Sequence, residues 1–103
     1  MKLIQMLEDM IEDELEGAEH YAKKAVKLKD TQPDLAKTLY EISTEEMRHI
    51  NMLHEQATRL IEQHRKEHGA PPAAMLAVYD YLHGKHIEKA NQIKMYQGQY
   101  RGT

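Results

Sequence analysis

Apolar positions along the chain recur in alternating steps of four and three, the spacing that keeps side chains on one helix face. From the N-terminus the stripe reads Leu3, Leu7, Met10, Glu14, Gly17, Tyr21, then Ala25 and Leu28 after a small drift. A second stripe reads Leu35, Leu39, Ile42, Glu46, His49, Leu53, Gln56 and Leu60. Two breakpoints interrupt the pattern: Asp30-Thr31-Gln32-Pro33-Asp34 and His68-Gly69-Ala70-Pro71-Pro72. Each pairs turn chemistry with a proline suited to a helix's first turn. The spacing therefore predicts three helices, near residues 3–29, 34–68 and 72–97, followed by a tail from Gly98 to Thr103.

Helices of that length change the picture, because at ~1.5 Å per residue the second would run roughly 50 Å. An antiparallel hairpin so long cannot bury its own seam and calls for partner helices. Residues 1–69 form the expected hairpin, and 70–103 a third helix and tail for self-association, all within one domain. The 103 residues leave room for no second domain. Two Val, five Gly and three Pro supply little strand or turn chemistry, so an all-β fold is excluded, while seven Met and six Tyr provide apolar bulk. The absence of Cys rules out disulfides, thiolate nucleophiles and iron–sulfur clusters. No apolar run approaches a membrane span, and Gln5, Glu8 and Asp9 interrupt any signal-peptide core, so a soluble, cytoplasmic protein is expected.

Charge is divided unevenly. Residues 1–46 carry 12 acids against six Lys and no Arg, while residues 47–103 carry five acids against eight Lys and Arg. With no basic stripe and an acidic first half, nucleic acid is not an expected partner.

The chemistry lies in the polar residues of the apolar stripes. Glu14 interrupts the first, whereas Glu16, ~200° around the helix, should face solvent. Glu46 and His49 interrupt the second as Glu-x-x-His, which places a carboxylate and an imidazole one turn apart on one face. An unpaired carboxylate in a helix-packing core costs several kcal/mol, so something must compensate it. One chain offers two carboxylates and one imidazole, a donor set suited to iron or manganese but too small for a closed site. Two copies would supply the carboxylate-bridged set of a four-helix di-metal protein, with Glu14, Glu46 and His49 each contributed twice. The alternative is a core histidine satisfied by Glu14 or Glu46, with Glu46 paired to His49 or Arg48.

Over residues ~5–65 the sequence resembles the ferritin-like superfamily, in particular its rubrerythrin-type and short half-ferritin chains. The carriers are Glu14-Leu-Glu-Gly-Ala-Glu-His-Tyr21, similar to the family's Glu-x6-Tyr, and Glu46-Met-Arg-His49. The resemblance implies a ferritin-like four-helix bundle completed by dimerisation and a di-iron centre shared between two chains. In it Glu14 and His49 are terminal ligands, Glu46 a bridging carboxylate, and Tyr21 a hydrogen-bond partner or electron source behind them. It further implies Fe(II) oxidation by oxygen or peroxide. Departures are a single Glu-x-x-His and the lack of any rubredoxin-like cysteine module. Two rival readings stay open: a non-catalytic assembly protein whose third helix and Tyr100 tail bind a larger particle or shell, and a Mn- or Zn-binding module without turnover.

Other groupings carry less. Asp80-x-x-His83 and His83-x-x-His86 lack a convincing partner, His86 falling in the packing stripe Tyr79, His86, Ala90 and Ile93. His64 and His68 read as a solvated helix end. His54-Glu55 opens a zinc-protease pattern that Thr58 breaks.

Overall fold

In a computed structural model that describes residues 2–102, three helices account for almost all of the chain. They are α1 (Lys2–Leu28), α2 (Pro33–His68) and α3 (Ala73–Arg101). Pro33 opens α2, where its missing N–H costs nothing. Gly69, at φ 80°, ends it by returning its N–H to Arg65 O at 2.9 Å. The chain runs up, down and up within 55 × 19 × 18 Å. Contacts between Ala18 and Ser43, and between Glu14 and His49, set α1 and α2 antiparallel. No described helix is long and apolar enough to cross a membrane.

Of the expected α1 seam only Leu7 and Ala25 are fully buried, and the core is centred on a neighbouring stripe. In α1 the core side is Ile4, Leu7, Ile11, Leu15, Ala18, Ala22 and Ala25, and in α2 it is Ala36, Ser43, Ile50 and Ala57. Leu3, Met10 and Leu35, placed in the seam by periodicity, remain 58%, 42% and 48% exposed. The cause is that each helix carries two apolar stripes side by side. Alanines at 18, 22, 25, 36 and 57 let three helices approach closely, so the alanine-rich stripe closes within the chain and the Leu/Met stripe is left outside.

Helix α3 lies along one groove of the α1/α2 hairpin, where Ile93 joins Ile11, Leu15, Ala18 and Ile50. Deeper along the same contact, Ser43 Oγ donates to Ala18 O at 2.8 Å and accepts from Gln97 Nε2 at 3.0 Å. This buried pair fixes α3 lengthwise, because sliding by one residue would strand both polar groups.

The tail expected from Gly98 is instead the last turn of α3. Tyr100 stacks on Tyr40 with ring centroids 4.5 Å apart, and Arg101 Nη1 donates to Tyr40 Oη at 2.7 Å. These contacts hold the helix through Gly98 until Gly102 caps it in the left-handed region. Tyr100 is thereby committed within the chain and is not a free tail residue.

Candidate metal centre

The second groove of the hairpin, opposite α3, is open. At ~100° per residue, Leu3, Met10, Glu14, Gly17 and Tyr21 lie on one flank of the buried α1 stripe, while Glu8, Glu12 and Glu19 lie on the flank facing α3. The same arithmetic puts Leu35, Ile42, Glu46, His49, Leu53 and Leu60 on the matching flank of α2. Apart from Leu7 and Ala25, which are buried within the chain, the stripe read from sequence therefore lines this open groove.

Glu14, Glu46 and His49 meet at its middle. His49 Nδ1 lies 3.5 Å from Glu14 Oε2. Glu14 Oε2 is nonetheless sheltered from solvent without a hydrogen-bond partner. Gly17, one turn beyond Glu14, makes room for the opposing carboxylate: a Cβ there would stand 3.0 Å from Glu46 Oε2. Burial, followed by the Glu14 carboxylate beside it, pushes the Glu46 carboxyl up to about 7, against a smaller opposing pull from His49. Arg48 gives Glu46 no relief, since it donates to Glu45 Oε2 at 3.0 Å and lies against Met52 Sδ at 3.6 Å. The pairing of Glu46 with Arg48 considered from sequence is thus not made.

Among the described residues no group of three or more His, Asp or Glu side chains stands arranged to hold a metal ion. What one chain presents is two carboxylates and an imidazole on the floor of a groove, with His49 still 46% exposed. Tyr21 is half-buried in the same groove, two turns from Glu14, and its ring meets the edge of His20 at 5.8 Å. No described hydrogen bond joins it to Glu14, Glu46 or His49. Glu16 faces solvent, as its position on the helix requires.

Sequence reasoning missed the polar contacts across α3. His86 lies between Glu8 and Glu12 of α1, with Nδ1 3.3 Å from Glu8 Oε2 and Nε2 3.5 Å from Glu12 Oε1. Lys89 Nζ bridges to Glu19 at 2.7 Å, which with Lys23 holds the Glu19 carboxyl below its ordinary value despite burial. His83 stacks on His54 at 5.1 Å. The only sequence signal was the place of His86 in the α3 packing stripe. Comparison with known protein families, characterised proteins and solved structures gives no match.

Proposed function

We propose that two copies of this chain pair through their open grooves into a ferritin-like four-helix bundle, and that the paired grooves hold a di-iron centre that oxidises Fe(II). The carrying observation is the convergence of Glu14, Glu46 and His49 at the middle of a groove that is otherwise apolar. Two marks support a metal: a sheltered Glu14 oxygen that makes no hydrogen bond, its His49 neighbour standing 3.5 Å away, and a glycine that clears the space occupied by Glu46. Surface area supports the pairing. A compact monomer of 12.0 kDa exposes on the order of 6,000 Å², whereas this chain exposes 6942 Å². The excess is comparable to the ~800 Å² that each partner buries in a standard interface.

In this reading Glu14 and His49 of each chain act as terminal donors and Glu46 as the shared carboxylate. When bound, the iron pair supplies one electron from each metal to oxygen or peroxide. The protein's part is charge and shelter. Glu46 is proton-bound below about pH 7, so loading at neutral pH exchanges a proton for a cation with little cost in desolvated charge. Ile42 and Leu53, on the same flank of α2 as Glu46, are half-buried apolar neighbours in sequence register. The test is aerobic Fe(II) oxidation followed by absorbance: the parent oxidises Fe(II) faster than buffer, and His49→Ala loses the enhancement. Equal rates in parent and buffer, with Zn or Mn retained, would instead establish a binding module without turnover.

A further inference from the structure

The two halves of α3 are held by different means. Its second half carries the buried residues, Ile93 and Gln97, and ends on the Tyr100 stack and the Arg101 hydrogen bond to Tyr40. Over residues 73–88 no side chain is fully buried, although Pro71, just before the helix, is. A cleft of about 150 Å³, lined in part by Ile11, Ile50 and Ala90, opens beside this half towards α2. Another of about 290 Å³, lined in part by Gln5, Val78 and Leu82, opens towards α1. Sparse apolar packing marks a segment of low local stability. The first half of α3 is therefore a strap anchored at both ends, and its fastening in between is polar.

His86 supplies that fastening. Its side chain, 12% exposed, lies between two carboxylates, with Nδ1 3.3 Å from Glu8 Oε2 and Nε2 3.5 Å from Glu12 Oε1. Glu8 is itself sheltered, at 16% exposure, whereas Glu12 is half in water at 52%. Neither Glu8 Oε2 nor His86 Nε2 makes a hydrogen bond, so charge is what joins ring and carboxylate. A protonated imidazole is positive and carries N–H on both nitrogens, while the neutral ring keeps one and turns a lone pair outward at the other. A neutral ring would leave the sheltered Glu8 carboxylate without the charge that offsets it, and such a group is relieved by regaining water.

The other titratable groups around the ring do not replace that charge. Lys89 Nζ is bound to Glu19, and Lys85 lies over the Tyr81 ring. Burial, followed by the Glu8 carboxylate, raises the Tyr79 hydroxyl above its ordinary value, so it stays neutral. Glu16 faces solvent. From α2 comes His54, whose ring stacks on His83 at 5.1 Å and 17°. That stack opposes a second proton, because two charged rings face to face repel, so it acts in the opposite sense to His86 and is separable from it by mutation.

We infer that the proton on His86 fastens the first half of α3 to α1, and that losing it releases residues 73–88 and opens the Ile11–Ile50 cleft to solvent. Imidazole is the side chain whose charge ordinarily changes between pH 5 and 8, so the strap is closed at the acid end of that range and free at the alkaline end. The device needs neither a metal nor a second chain.

Amide hydrogen exchange on the full chain, with chelator, at about pH 6 and about pH 8.5 tests it, each rate being divided by the intrinsic rate at that pH. Protection over residues 75–88 should fall about tenfold or more at the higher pH, while that over residues 93–100 changes by less than about twofold. His86→Arg, whose charge does not titrate, should keep the protection at both pH values. His86→Gln should show the lower protection at both. His54→Gln removes the opposing stack and should leave the fall in place. Where a variant at position 86 folds poorly, Glu8→Gln gives the second measure: it removes the sheltered charge and should flatten the pH dependence. Equal protection at the two pH values in the parent, or a fall that persists in His86→Gln or Glu8→Gln, would overturn the inference.

Discussion

Replacing Glu46 by Gln keeps the shape of the side chain and removes its charge, and the consequence for the metal-free protein is a gain in stability at neutral and higher pH. The Glu46 carboxyl titrates at about 7 in the folded chain against an ordinary 4.5. Folded protein therefore binds the proton more tightly than unfolded protein, so Glu46 lowers stability progressively as pH rises from about 4.5 to 7. At about 1.4 kcal/mol per tenfold change in proton affinity, the ceiling is about 3 kcal/mol. Water reaches the half-buried group and screens it, so roughly 1–2 kcal/mol is the expected penalty. Urea unfolding with chelator at about pH 4 and pH 8, either side of the two values, gives the comparison. Glu46→Gln should match the parent at about pH 4, exceed it by roughly 1–2 kcal/mol at pH 8, and lose the extra stability that Fe(II) or Mn(II) confers on the parent. A variant less stable than the parent by the same amount at both pH values would show that Glu46 makes a favourable buried pair, and the reasoning would fail.

Gly17→Ala should raise apo helix stability by up to about 1 kcal/mol while pushing Glu46 Oε2 aside, so metal affinity falls as melting temperature holds or rises; isothermal titration and melts check both. Ser43→Ala strands Gln97 Nε2 in the core and should cost about 1–3 kcal/mol irrespective of metal, read by chevron or equilibrium unfolding. Tyr21→Phe should leave iron binding nearly intact and alter oxidation kinetics; a loss of binding equal to that of Glu46→Ala would make Tyr21 a ligand.

The helices and both breakpoints were legible because proline, glycine and a period near 3.6 act locally. Which of two adjacent apolar stripes closes within the chain was not. Leu3 and Ile4, or Met10 and Ile11, fit the period equally well, and the choice is made by how closely alanines allow a third helix to approach. The end of α3 was misplaced for a related reason, since Gly98 and Gly102 suggest a tail and only the remote Tyr40 keeps the helix going. Glu14, Glu46 and His49 could be grouped because each broke an apolar stripe at matched depth. Of Glu8, Glu12 and His86 only His86 falls in an apolar stripe: their contacts join residues more than 70 positions apart, and local spacing does not pair them.

The central claim is that each chain holds half of a shared iron site. Sedimentation equilibrium combined with iron analysis tests it most directly, on protein loaded anaerobically and then treated with a mild chelator to clear weaker sites. The account predicts a dimer carrying about two irons that Glu14→Gln and His49→Ala empty together. A stable monomer that binds two irons, or a dimer whose iron content is indifferent to those substitutions, would contradict it.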